Sequence, residues 1–148
     1  MLKMIHPAAG AIALLTILIF WLSTLFAELI GSEAFVVSVK TSIPWGFFVL
    51  IPALMTAGGT GFVLSKGGRA GVIGAKLKRM PFIAANGLLV LIPAALFLAS
   101  KARAGEFDTA FYAVQVLELL AGTMNITLLA LNLRDGLRLK GRLRRAPA

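Results

Sequence analysis

The sequence predicts an all-α membrane protein, a four-transmembrane-helix antiparallel bundle with both termini in the cytoplasm. Hydrophobic residues make up 59% of the 148 residues and charged residues only 14%. A soluble domain has about 25% charged residues with which to cover its surface. The apolar residues fall into four runs, each close to the roughly 20 residues that a helix needs to cross a bilayer. The basic residues stand at the ends of those runs, as is typical of membrane proteins.

These four runs predict one polytopic membrane domain over residues 1–148. The predicted helices and the basic cytoplasmic tail cover residues 8–30, 41–65, 81–99, 110–133 and 134–148. The first run has no charge before Glu28 and is about twice as long as a signal-peptide core, so we expect a retained helix. Pro81 suits the first turn of the third helix, because its missing N–H would have no partner there. The fourth helix holds the most polar residues.

The distribution of Lys and Arg predicts the orientation. Twelve of them lie in the N-terminal segment, the 66–80 loop and the tail, against three in the other connections. Those three are Lys40, Lys101 and Arg103, so that Lys40 is assigned to the outer connection between the first two helices. Positive charge accumulates on the cytoplasmic side. We therefore expect an integral, multi-pass protein of a bacterial inner (plasma) membrane.

A polar stripe on the fourth helix is the main candidate site. Its members recur every three or four residues and share one helix face: Gln115, Glu118, Gly122, Asn125, Leu129 and Asn132. With Asn86 of the third helix, the polar members form the predicted intramembrane cluster. An ionised Glu118 would cost at least about 2.5 kcal/mol at this depth, so it should face the bundle and have partners, or be protonated. No Lys or Arg is expected at its depth.

Two interpretations of this cluster remain open. The cluster could bind a proton, a cation or the head group of a quinone-like molecule. Alternatively, its members could join helices through hydrogen bonds worth about 0.6–2 kcal/mol each.

His6 is the only histidine, one turn before the first helix enters the membrane. A haem b held by two histidines of one chain is therefore excluded. A haem b could still be shared across a homodimer, or take Met80 or Met124 as its second ligand. The alternative is an interfacial polar side chain ahead of Pro7 at a helix start.

The tail interleaves leucines with cations and predicts contact with the anionic cytoplasmic leaflet, at about 1 kcal/mol per basic group. The lipid-contacting residues are Arg138, Lys140, Arg142, Arg144 and Arg145. Nucleic acid is not an expected partner. The chain has no Cys and one His, so a zinc site or a hydrolytic triad lacks its ligands or bases. We identify no catalytic residue and no metal site, and do not expect an enzyme.

Three functions are compatible with these features. The first is a non-catalytic accessory or assembly subunit that contacts other membrane subunits or forms a homo-oligomer, because the loops are too short to build a site outside the membrane. The second is a small proton-coupled carrier or channel subunit that works through Glu118. The third is a haem- or quinone-binding anchor of an electron-transport complex, with its group near His6, Asn86 and Asn132.

Overall fold

The structure, a computed structural model, describes residues 1–65, 71–139 and 141, and within them the chain is helical with no strand. The helices are α1 (Leu2–Ile30), α2 (Glu33–Ser65), α3 (Gly71–Asn86), α4 (Ile92–Ala104) and α5 (Thr109–Leu139). A π-helical turn, Gly87–Leu91, joins α3 and α4 into one continuous segment. Four segments in the described part of the chain are long and apolar enough to cross a membrane: Leu2–Ile30, Glu33–Ser65, Gly71–Ala104 and Thr109–Arg138. The predicted all-α class and the four membrane-length helices are confirmed, and they are compatible with a multi-pass membrane protein.

The helices extend beyond the apolar runs that predicted them. In particular, α2 begins at Glu33 instead of residue 41, and α3 begins at Gly71 instead of Pro81. An apolar run marks only the part of a helix that suits lipid, whereas Glu, Lys and Arg are good helix formers and continue the hydrogen-bonded turns. Pro81 therefore lies inside α3 and not in its first turn, and Lys40 lies inside α2.

The third segment changes its winding just before Pro93. The N–H of Ile92 donates to the carbonyl of Gly87, five residues back, as in a π-helix. Pro93 has no N–H to continue the regular pattern. Single π-helical turns are rare and often lie next to functional sites. This one begins directly after Asn86, and Gly87 faces the side-chain amide of Asn125 on α5.

Two apolar clusters join the helices. One consists of Ala13, Ile17, Leu50, Ala53, Ile83 and Leu129. The other consists of Ala27, Val36, Leu98, Ala102 and Phe111. In the described residues α1 packs along α2 and against α5, and α4 packs on α2, whereas α2 and α3 touch little. Among the other long helices, α3 is thus held mainly by α5.

Asp108 caps the start of α5 in the connection after α4. Its Oδ1 accepts a hydrogen bond from the N–H of Phe111 at 2.9 Å, and Lys101 donates to its Oδ2 at 2.7 Å. The bond from Lys101, and then that from Phe111, lowers the pKa of Asp108 from its ordinary value. A lowered carboxyl pKa stabilises the fold above the ordinary Asp value, and this contribution disappears as the pH falls through the lowered one.

Gly46 lies where the ring of Phe20 on α1 approaches the backbone of α2. A Cβ atom at this position would overlap the ring of Phe20, which itself packs edge-on against Phe47 with a centroid distance of 6.3 Å. A side chain at position 46 would therefore require the Phe20 ring to move.

Gly46→Ala should therefore destabilise the protein relative to a control in which the added methyl group meets nothing. Gly10→Ala is that control, because a Cβ there has no neighbour within 4 Å. Both changes gain similar helix propensity, so their difference isolates the steric overlap, for which we expect about 1–3 kcal/mol. Thermal unfolding in detergent measures it. Equal melting temperatures for the two variants would contradict the close approach.

Candidate functional site

The polar stripe of α5 faces the neighbouring helices. Gln115, Asn125 and Asn132 are buried, and Asn125 has no exposed surface. The stripe continues one step further than the sequence analysis placed it, to the buried carboxylate of Asp135. This residue follows Asn132 by three positions, so the same spacing could have identified it. Leucines of α5 such as Leu120 point outward instead.

The first group in the stripe, called here the Lys40 site, consists of Lys40, Glu118 and Thr24. The ammonium of Lys40 lies 2.5 Å from Oε2 of Glu118 and donates to Oγ1 of Thr24 at 3.3 Å. Lys40 is only 1% exposed and the Glu118 side chain 12%. The site thereby joins α2, α5 and α1 through one buried cation. Glu28 of α1 also interacts electrostatically with Lys40.

The expectation that no Lys or Arg would lie near Glu118 is wrong. Lys40 was assigned to the outer connection because it precedes the apolar run of the second helix. It is instead part of the buried face of α2, together with Val36, Ile43 and Leu50. The three- and four-residue spacing that Lys40 shares with these residues could have identified it as buried. Because the ammonium neutralises the carboxylate, Glu118 does not require protonation to be buried.

The second group, called the Asn pair, joins α5 to α3. Asn86 donates from Nδ2 to Oδ1 of Asn125 at 2.9 Å and to the carbonyl of Ala121 at 2.8 Å. In return, Nδ2 of Asn125 donates to the carbonyl of Ile83 at 3.3 Å. Two uncharged side chains and two backbone carbonyls thus form a set of hydrogen bonds directly beside the π-helical turn.

The third group, called the Arg79 site, lies near the end of α5. Arg79 of α3 donates to Oδ2 of Asp135 at 2.7 Å and to Oδ1 of Asn132 at 3.3 Å. Asn132 in turn donates to the sulfur of Met80 at 3.5 Å. A second cation, Arg134, approaches Asp135 at 3.5 Å. Arg79 was counted only as a loop cation in the sequence analysis, and its pairing required the longer α3.

Gln115 differs from the other members of the stripe. It is 3% exposed, yet neither its side-chain oxygen nor its nitrogen has a hydrogen-bond partner among the described residues. One oxygen of Glu28 is in the same situation. Buried amides are usually hydrogen-bonded to protein or water.

A large, mostly apolar cavity of about 1280 Å³ lies between the helices. Its lining includes Lys3, His6, Lys76 and Lys78 at one end. Trp21, Thr24 and Glu118 line the other end, and Asn125 and Asn132 line it between. The Lys40 site therefore contributes Thr24 and Glu118 to its wall, and the Asn pair contributes Asn125.

His6 lies on the wall of this cavity next to α2. Its Nδ1 is 3.0 Å from the carbonyl of Ala57 and 3.1 Å from Oγ1 of Thr60. A proton on Nδ1 satisfies the carbonyl and leaves a lone pair on Nε2. Of the two methionines considered as second haem ligands, Met80 lines the same cavity, whereas Met124 is 45% exposed.

The remaining sequence-derived site residues belong to the basic tail. Arg138 is exposed near the end of α5. Lys140, Arg142, Arg144 and Arg145 lie outside the described residues. Within the described part of the chain, no group of three or more His, Asp or Glu side chains is arranged to hold a metal ion. Comparison of the chain with protein-family models, curated proteins and solved structures gives no match.

Proposed function

We propose that this protein is a non-catalytic membrane subunit, an accessory or assembly partner within a larger membrane complex. The proposal rests on one observation, that the polar groups on α5 bind side chains of other helices. Glu118, Asn125 and Asn132 bind Lys40, Asn86 and Arg79, which belong to other helices. Polar groups engaged in this way stabilise helix packing in a membrane. An unpaired carboxylate facing a channel would instead have favoured a carrier.

The proposed arrangement in the membrane is an antiparallel bundle with both termini in the cytoplasm, in a bacterial inner membrane. The hydrogen bond of His6 to Ala57 near the end of α2, and that of Lys40 to Thr24 near the end of α1, support an antiparallel pair. With the buried Lys40 left out, twelve Lys and Arg residues lie on the proposed cytoplasmic side, against only Lys101 and Arg103 on the other, and this asymmetry supports the orientation. We expect reporter fusions after Lys76 and at Ala148 to report cytoplasm, and fusions near Ser32 and Gly105 to report the outer side.

Co-purification tests the proposed role as a subunit. The full chain, extracted from its native membrane in a mild detergent, should bring one or more membrane proteins in a fixed ratio, identified by mass spectrometry. The expected contacts are made by outward apolar side chains, among them Phe48, Phe62 and Phe82, which are more than 65% exposed. A strictly monomeric protein with no associated subunit would refute the proposal.

A second function, an anchor that binds haem b or a quinone, is favoured by the environment of His6. A histidine that donates from Nδ1 to a backbone carbonyl presents Nε2 in the fixed orientation that metal-binding histidines use. His6 also borders the cavity that Asn132 and Met80 line. The visible absorption spectrum of the purified protein distinguishes the two functions. A Soret band that disappears in His6→Ala supports a haem-binding anchor. A colourless protein excludes haem binding.

A further inference from the structure

The central cavity is elongated along α1. Lys3 and Thr24 of α1 both line it, and at 1.5 Å per residue they are roughly 30 Å apart along the helix. This is close to the thickness of the hydrocarbon core. The cavity is therefore long enough for a molecule that extends across the hydrocarbon core.

The charges in the cavity wall are separated along its length. Lys3, Lys76 and Lys78 line one end. Among the described residues that line the cavity, the only carboxylate is Glu118, which lies at the other end and is bound to Lys40. One end thus attracts anions, and the opposite end presents a neutralised pair.

The wall of the cavity is mostly apolar and, near the lysine end, is partly built from residues without side chains. Gly58, Gly59 and Gly61 of α2 line it next to His6. A Cβ atom at Gly59 would meet no neighbour within 4 Å. An empty apolar space of this size would forfeit the dispersion contacts that a hydrocarbon chain supplies, so a chain of that kind fits the wall.

From this geometry we infer that the cavity binds one anionic phospholipid from the bilayer. The phosphate lies among Lys3, Lys76 and Lys78, and an acyl chain extends along the glycines of α2 toward Trp21. This site lies inside the helix assembly and is separate from the surface contact expected of the basic tail. It does not depend on whether the protein is an assembly subunit.

Lipid titration of the purified, delipidated full chain tests the inference. Phosphatidylglycerol should bind with a stoichiometry of one in native mass spectrometry and raise the melting temperature. Phosphatidylcholine with the same acyl chains should bind at least tenfold more weakly, because its head group has no net charge. Equal binding of the two lipids would overturn the inference, as would a haem absorption band, which would assign the cavity to haem.

Two pairs of variants locate the lipid. Lys78→Gln should weaken phosphatidylglycerol binding by about fivefold, the effect of about 1 kcal/mol per basic group. Arg138→Gln removes the same charge outside the cavity and should change binding less than twofold. Gly59→Phe should fill the space for the acyl chain and abolish binding of both lipids, whereas Leu120→Phe, which places the same ring on the outward face of α5, should not. Equal losses for Lys78→Gln and Arg138→Gln, or full binding by a Gly59→Phe variant that melts like the unmodified protein, would refute a lipid inside the cavity.

Discussion

Lys40→Met should lower the free energy of unfolding by about 3–5 kcal/mol, because it leaves the Glu118 carboxylate buried without its counter-charge. The reciprocal change, Glu118→Met, should cause a loss of similar size. It removes the bound carboxylate, so that only Thr24 and the more distant Glu28 interact with the ammonium of Lys40. The double variant, Lys40→Met with Glu118→Met, fills the same space with apolar side chains and should regain most of the lost stability. Unfolding in detergent measures all three variants.

The coupling free energy from this double-mutant cycle is the decisive quantity. Strong coupling confirms that the two side chains act as a pair in the protein. Independent, additive losses would contradict the contact at 2.5 Å.

Glu118→Gln distinguishes a structural pair from a proton-carrying one. It preserves the shape of the side chain and removes its titration, so a carrier would lose a proton-dependent activity. If that activity disappears while the variant assembles and melts like the unmodified protein, a carrier function replaces the accessory function proposed above. A loss of stability without a proton-dependent phenotype agrees with a structural pair.

Asn125→Asp replaces one amide nitrogen of the Asn pair by an oxygen, and we expect it to cause a large loss of stability. Asn125 is fully buried and donates to the carbonyl of Ile83. A carboxylate there would place an oxygen against that carbonyl and a charge at membrane depth, which costs about 2.5–3.5 kcal/mol or more. The loss should be largest at neutral pH and smaller in acid, where the added carboxyl group is neutral. Thermal unfolding as a function of pH measures it.

Asn125→Leu serves as the control for this change, because it removes the same hydrogen bonds without adding charge. We expect a smaller, pH-independent loss of about 1–2 kcal/mol. If the Asp variant is as stable as the Leu variant at neutral pH, then water or a cation reaches Asn125, and the Asn pair is not dry.

The polar face of α5 illustrates what local spacing can predict. Glu118, Asn125 and Asn132 follow one another at intervals of seven residues, which return to the same side of a helix, and the cost of exposing them to lipid indicates an inward orientation. Their partners could not be derived in the same way. Lys40 and Arg79 stand at the ends of apolar runs, where cations usually contact water or head groups.

The sequence by itself determined the all-α class and the four membrane-length helices, because the length and apolarity of a run are local properties of the chain. Only the tertiary structure decided which cation neutralises Glu118 and that a cavity remains between the helices. The pairing depends on where each helix begins. Because α2 starts at Glu33 and not at residue 41, Lys40 is part of the helix and lies in the interior. The cavity depends on how far α2 and α3 stand apart, and packing between segments distant in the chain sets that separation.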